Sequence, residues 1–133
     1  MIELEEAYET AKKTLLDWKS ILDGCGTDLN KSEVTLFHKE QTVQINLRKL
    51  DFLFLLIQLD RRVIEYSLKD FNSISQIKEL IDSFFQGQYL FNMGIDNIPI
   101  QVNWENEALR NLDRKFQDIV STDVKQFEGY IWK

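Results

Sequence analysis

The sequence contains few of the residues on which catalytic and metal sites in small proteins depend. Its 133 residues include a single cysteine, Cys25, and a single histidine, His38. One cysteine excludes a disulfide within the chain, so the fold does not require an oxidising compartment. A structural zinc site needs four cysteine or histidine ligands, and a Ser–His–Asp or Cys–His unit needs a histidine beside its nucleophile. We therefore predict no catalytic residue, no metal site and no cofactor.

Proline, glycine and long apolar runs are also scarce. One proline, Pro99, and five glycines leave room for long helices and strands, and we expect a single globular domain over residues 1–133. The longest largely apolar run, residues 52–59, contains one polar residue, Gln58, and breaks at Asp60, whereas a membrane helix needs about 20 apolar residues. The first residues are acidic and amphipathic, unlike the basic start of a signal peptide. We expect a cytoplasmic protein that makes no membrane contact.

Positive charge is in deficit. The net charge is −6 and the isoelectric point is near 4.8. Phosphate backbones repel such a surface, so direct nucleic-acid binding is disfavoured. Negative charge keeps many proteins soluble, but it also suits a face that meets a basic protein.

The N-terminal segment is typical of an amphipathic helix. Its apolar residues recur at steps of three and four: Leu4, Ala7, Tyr8, Ala11, Leu15, Trp18 and Leu22. Glycine ends helices readily, so Gly24 predicts the end of this helix, and residues 23–33 are predicted to form a loop. Apolar and polar residues then alternate over 43–48, after a β-branched and aromatic stretch at 34–39. This pattern predicts an antiparallel hairpin.

Residues 52–68 allow two interpretations. One is a second hairpin, with a central strand over 52–59 covered on both faces and a tight turn at Asp60 and Arg61. The other is a single buried helix, which would show apolar side chains all round and would need more surrounding chain than 133 residues provide. We favour the hairpin and expect Phe54 and Leu56 in the core.

The C-terminal half carries signals for two more helices. Ser73 and Gln76 match a capping box, an apolar stripe follows, and Gly87 ends the segment. Pro99 confines any strand in its neighbourhood to a sheet edge or to a strand that starts at the proline. A third helix is expected to begin at Asn103. The predicted fold is therefore α+β, an antiparallel sheet of about four to five strands with three helices in the order α-β-β-β-β-α-(β)-α.

Most residues with reactive side chains are interpreted as structural. Cys25 follows the C-terminal end of the first helix, where the helix dipole raises the pKa of a thiol, so it is interpreted as a turn residue. His38 is interpreted as a polar strand residue. Asp51, Asp60 and Glu65 lie beside the apolar strands and are interpreted as turn or solvent-facing acids.

One face of the first helix remains as a candidate contact surface. The side turned away from its apolar stripe carries Glu5, Glu6, Glu9, Leu16 and Asp17. We predict that these five residues bind a partner, with the leucine as an exposed apolar anchor among carboxylates.

The function that fits these absences and this charge is binding of a basic protein. The most concrete hypothesis is a small acidic inhibitor of the bacterial immunity type, which neutralises a basic toxin or nuclease and needs no cofactor. The alternative is a small-molecule-binding or enzymatic α+β domain, with a pocket between helix and curved sheet that holds His38 or an acid. A weaker third option is a homodimer joined through the apolar residues 89–102.

Overall fold

Helices and strands combine in an α+β arrangement. The computed structural model describes residues 2–60, 62–93, 99–116, 125–129 and 132. The α-helices are α1 (Leu4–Ile21) and α2 (Ile74–Phe85), and 3-10 helices occupy Leu68–Asp70 and Glu107–Phe116. The strands are β1 (Cys25–Leu29), β2 (Glu33–His38), β3 (Val43–Lys49), β4 (Leu53–Leu59), β5 (Arg62–Ser67), β6 (Tyr89–Met93), β7 (Pro99–Trp104) and β8 (Lys125–Glu128).

The first five strands form one antiparallel sheet in sequence order. Each strand pairs with the next, from β1 at one edge to β5 at the other. This topology confirms the antiparallel α+β fold and the hairpin pairing of residues 52–68, but the expectation that its first strand is covered on both faces is wrong, because only one face of β4 is buried. In the β4–β5 turn, Asp60 has a left-handed φ of 54°. Aspartate tolerates that conformation because its short polar side chain can bond locally, so the turn needs no glycine.

Strand β1 shows that the loop predicted over residues 23–33 is wrong. Cys25–Leu29 pairs with β2 in a register that runs from Cys25 opposite His38 to Leu29 opposite Val34. The segment contains glycine and aspartate, which are depleted in strands. Residues 25–29 are therefore a strand because they pair with β2, and not because of their own composition.

The third predicted α-helix is also wrong, because the described chain contains two. Asn103 lies within β7, which pairs with β6 and places Trp104 in the core. The helical turns begin later, after Asn106, whose Oδ1 accepts a backbone N–H two residues on at 2.9 Å. They form a 3-10 helix in which Leu109 and Leu112 are buried. Their spacing of three residues matches the 3-10 repeat. The part of the predicted third helix beyond residue 116 lies outside the described residues.

A second antiparallel sheet has three strands in the order β7-β6-β8. The sequence predicts one short strand in this part of the chain. Pro99 begins β7 at an edge of the sheet, as its missing N–H requires. The other two strands depend on pairing between distant segments, since β6 bonds both β7 and β8.

The capping signals of α2 are confirmed in part. Ser73 Oγ accepts the N–H of Gln76 at 3.3 Å. The side chain of Gln76 instead accepts the N–H of Asn72 at 2.7 Å, one residue before the cap. Gly87 follows the helix with a φ of 67°, in the left-handed region that glycine adopts without strain.

The hydrophobic core lies on one face of the five-stranded sheet, called here the inner face. α1 packs on that face against β1, β2 and β3, and α2 packs beside α1. Strand β4 buries its inner-face residues, which are Leu53, Leu55, Ile57 and Leu59. The expectation that Phe54 and Leu56 lie in the core is wrong, because strand alternation places both on the opposite, outer face, where they are half-buried. Buried residues from α1, the sheet, α2 and the C-terminal Trp132 form a single cluster.

Candidate functional site

The five predicted contact residues lie on the exposed side of α1. The helix buries its other side against the sheet through Ala7, Tyr8, Ala11, Thr14 and Leu15. Four of the predicted residues are exposed, namely Glu5, Glu6, Glu9 and Asp17. Leu16 is half-buried, so it offers less apolar surface than an exposed leucine would.

Glu5 is tied to the sheet by an ion pair. Its carboxylate accepts a hydrogen bond from Lys49 Nζ at the end of β3. The same Nζ lies 5.0 Å from the ring centroid of Tyr8, within cation–π range. The bond to Glu5 raises the pKa of Lys49, and burial raises the pKa of Tyr8. The negative charge of Glu5 is therefore partly neutralised by Lys49 within the molecule.

Asp17 is also paired within the molecule. Its carboxylate accepts a hydrogen bond from Lys13 Nζ at 2.8 Å, one turn earlier on the same helix. Both side chains are exposed, so the pair adds little to stability. It does mix positive charge into the second half of the predicted surface.

Glu6 and Glu9 are the two predicted acids without an ion pair in the described part of the chain. Both project from the first turns of α1 into solvent. Glu3, at the N-cap, accepts the N–H groups of Glu5 and Glu6 at 3.3 and 3.2 Å, which fixes the helix start. The unpaired negative charge of α1 is thus concentrated at its N-terminal half.

Cys25 is a buried strand residue and not the turn residue that the sequence predicts. Its side chain is fully buried, and its Sγ donates a weak hydrogen bond to the carbonyl oxygen of Gly26 at 3.5 Å. Burial raises the pKa of the thiol, which disfavours the thiolate that nucleophilic chemistry needs.

His38 has a structural role that the sequence does not reveal. Its Nδ1 accepts the backbone N–H groups of Glu40 and Gln41 at 3.0 and 3.1 Å, in the β2–β3 turn. Its ring meets Trp132 edge-on, with centroids 5.6 Å apart. Two donors at Nδ1 place the ring proton on Nε2 and hold the side chain as a turn cap.

The outer face of the five-stranded sheet is a second candidate surface, which the sequence analysis missed. Val63 is 50% exposed, and Phe52 and Leu50, at the β3–β4 turn, are 67% and 62% exposed. The rings of Phe52 and Phe54 lie 6.3 Å apart. These residues and the half-buried Leu56 are together called here the outer patch. Its signal in the sequence is the apolar character of both parities over residues 52–56.

A polar network lies beside the outer patch. Asn46 is 5% exposed, and its Nδ2 donates to Glu33 Oε1 and to Thr35 Oγ1, both at 2.6 Å. Arg48 donates to the same Glu33 oxygen at 3.3 Å. The bond from Asn46, with help from Arg48, lowers the pKa of Glu33. The Oδ1 of Asn46 is buried and has no hydrogen-bond partner among the described residues.

The described residues form no metal-binding cluster and no buried group of acidic or basic side chains. They contain no group of three or more His, Cys, Asp or Glu side chains that could hold a metal ion. Their buried polar side chains are Thr14, Asn46, Gln76 and Ser83, none of which is an acid or a base. Asp51, Asp60 and Glu65 are exposed, as expected. Over the same residues, neither α-helix has the length and apolar character needed to cross a membrane.

Comparison with known proteins gives no relative from which a role could be transferred. No protein-family model, no curated protein and no solved structure matches the chain. Its function must therefore be inferred from the two surfaces, the acidic N-terminal half of α1 and the outer face of the sheet.

Proposed function

We propose that this protein is a non-catalytic binding module that neutralises a basic protein, in the manner of a small immunity protein acting on a toxin or nuclease. A nuclease is positively charged where it holds phosphates. A negative protein is attracted to that site and can cover it. The contact we propose is the acidic side of α1, formed by Glu5, Glu6, Glu9, Leu16 and Asp17.

The observation that carries this proposal is the unpaired charge of Glu6 and Glu9. Carboxylates that are already bonded within the molecule contribute less to a partner, as with Glu5 and Asp17. Glu6 and Glu9 project from the same helix half and have no ion pair within the described chain. They are the acids of this surface that a basic partner can engage without breaking an internal bond.

The helix that presents these acids is firmly held, which favours recognition without a cost in ordering. Tyr8 is buried beneath it. Nearer its C-terminal end, Trp18 Nε1 donates to Asp82 of α2 at 2.8 Å, and the Trp18 ring stacks on Phe85 with centroids 5.4 Å apart. A pre-organised surface loses little conformational entropy on binding.

The alternative of a small-molecule or enzymatic domain has no observation in its favour. It requires His38 or a carboxylate in an internal pocket. The nitrogen Nδ1 of His38 is occupied by two turn N–H groups, and the buried polar side chains of the described chain are uncharged.

The test is to isolate the partner and to measure association rates across a salt series. The product of the gene adjacent to this one is the first candidate partner. Reversing Glu6 and Glu9 to lysine should slow association about tenfold at low salt and weaken its salt dependence, since fewer attractive charges remain to be screened. Dissociation should change less, because desolvated contacts control it.

The matched control reverses Glu40 and Glu105, which are exposed acids outside α1. This variant has the same net charge as the double variant of α1, so it separates a local contact from the overall field. Equal slowing by both double variants would reject α1 as the contact. A partner that is itself acidic would reject the electrostatic basis of the proposal.

A further inference from the structure

The outer face of the five-stranded sheet is organised in rows of side chains across the strands. One row, read from β1 to β5, consists of Asp28, Thr35, Asn46, Leu56 and Glu65. Asn46 and Glu65 therefore flank Leu56 on its two sides. Phe54 lies two residues from Leu56 on the same strand and the same face.

Acidic side chains outnumber basic ones on the outer face. Its described charged side chains are Asp28, Glu33, Glu65 and Arg48. The arginine is already bonded to Glu33, at 3.3 Å. Asp28 and Glu65 are exposed, and so is Asp51 beside the outer patch. An apolar patch with acids around it is complementary to a partner that brings an apolar stem and a positive charge together.

Asn46 adds an acceptor that lacks a donor. Glu33 can only accept a hydrogen bond, so the nitrogen of the Asn46 amide must face it and the oxygen must face the other way. That oxygen is buried and has no donor among the described residues. A buried acceptor without a donor is costly, and a partner that supplies an N–H recovers the cost.

We propose that the outer face binds an arginine of the basic partner, with its guanidinium over Leu56 between Asn46 and Glu65. The Asn46 Oδ1 and the Glu65 carboxylate accept its N–H groups, and its aliphatic stem packs on Phe54. Arginine fits better than lysine because its planar fork offers several donors at once and stacks on aromatic rings. Because this oxygen is buried, binding requires a neighbouring side chain to move, and we propose that it is the exposed Arg48, two residues from Asn46 on the same face of β3.

This inference rests on the proposed function for the basic nature of the partner, and it assigns the anchor to a different surface. α1 packs on the inner face, so its acidic side and the outer face point in opposite directions. The arginine site is therefore a second contact, separate from the acidic side of α1. Anchors at interfaces are aromatic and arginine contacts in desolvated surroundings, which the outer face supplies and the exposed α1 acids do not.

The test titrates the ¹⁵N-labelled protein with a short synthetic peptide that carries one arginine between two leucines and has blocked ends. Two-dimensional NMR spectra then report where it binds. We expect shifts of the Asn46 side-chain amide and of the backbone amides of Leu56 and Glu65. A matched peptide with citrulline, which keeps the shape of arginine without its charge, should bind about tenfold more weakly.

Two single substitutions distinguish a local contact from general charge. Glu65→Gln should weaken binding of the arginine peptide about threefold, the effect of losing one exposed ion pair. Asp28→Asn removes the same charge from the other end of the same row and should leave binding unchanged. Both acids are exposed, so neither substitution threatens the fold.

Shifts confined to α1, equal binding of the two peptides, equal effects of the two substitutions, or no shift at millimolar peptide would each overturn the assignment of an arginine site to the outer face. These outcomes leave the proposed function standing, because it is judged separately, by the effect of the Glu6 and Glu9 reversals on association with the natural partner. Conversely, arginine binding at the outer face together with an acidic natural partner would reject the proposed function alone.

Discussion

The two faces of the five-stranded sheet are made from similar residues and have different surroundings. On β4 the inner residues Leu53, Leu55, Ile57 and Leu59 are at most 3% exposed. On the outer face of the same strand, Phe54 and Leu56 are half-buried, and Phe52 just before it is 67% exposed. Apolar character therefore does not decide which side chains enter the core. The layer that packs on the sheet decides it, and α1 packs on the inner face.

The largest contrast between the faces should appear in stability. Leu55→Ala removes a side chain that is 2% exposed and leaves a cavity in the core, so it should cost about 3 kcal/mol. Leu56→Ala makes the same chemical change one residue later on the outer face and should cost about 1 kcal/mol. Urea unfolding of the two variants measures both values. Equal losses would mean that the outer face is covered as well as the inner face.

The sequence predicts the sheet but not the assignment of its faces. In β3, apolar and polar residues alternate, and the inner residues Ile45 and Leu47 follow directly from that pattern. In β4, residues of both parities are apolar, so the period of two carries no information about the covered side. The expectation that Phe54 and Leu56 are buried failed for this reason.

The sequence misses the elements whose structure depends on contacts outside their own segment. β1 contains two residues that disfavour strands, and the neighbouring β2 makes it one. The segment after β7 has helical spacing, but the burial of Leu109 and Leu112 fits a 3-10 helix. The helices α1 and α2 were predicted because their stripes and caps are local.

The sequence likewise predicts the candidate contact surface only in part. The exposed side of α1 follows from its 3.6-residue period. The ion pair between Glu5 and Lys49 joins residues that are 44 positions apart, so no local pattern indicates it. The sequence could therefore locate the acids but could not show which of them are free.

A further prediction concerns the outer face, where the ring of Phe37 lies close to the backbone of Gly26. The ring of Phe37 lies across Gly26 on β1, so a Cβ at Gly26 would fall 2.3 Å from ring carbons. Gly26→Ala should therefore cost about 1 kcal/mol, because the half-buried ring of Phe37 must shift to make room.

We attribute this loss of stability to contact with the Phe37 ring, and a double-mutant cycle tests that attribution. In a Phe37→Ala background, Gly26→Ala should cost less than about 0.5 kcal/mol, because the space is open and the two changes are coupled. An undiminished cost in that background would locate the strain in the backbone of β1.

A pair of neighbouring residues tests exposure directly. Phe52→Ser, in the outer patch, should change the free energy of unfolding by less than about 0.5 kcal/mol, as surface substitutions do. Leu53→Ser, one residue on, places a hydroxyl in the core where the leucine is 3% exposed, so it should be destabilised by about 3 kcal/mol. Similar losses at both positions would contradict the exposed placement of Phe52.

The smallest expected effect is a slope in the pH dependence of stability, caused by Glu33 on the outer face. The hydrogen bond from Asn46, supported by Arg48, lowers the pKa of Glu33 below its ordinary value of 4.5. As the pH falls below 4.5, Glu33 protonates in the unfolded chain before it does so in the native chain. The unfolded state then binds more protons, so this contribution to stability is present above pH 4.5 and is lost as the pH falls through the lower native pKa.

Two variants isolate this contribution in urea unfolding measured across the acid range. Glu33→Gln keeps an acceptor for Asn46 but cannot ionise, so its stability should depend less steeply on pH in that window. Asn46→Ala removes the largest cause of the shift and should flatten the dependence as well, through the native pKa of Glu33. Since Ile45, a buried inner-face residue of β3, does not ionise, Ile45→Val should lower stability equally at every pH and leave the slope intact. An unchanged slope in both outer-face variants would mean that the bond from Asn46 does not hold Glu33 in its charged form. The polar network beside the outer patch would then be a weaker acceptor site for a basic partner.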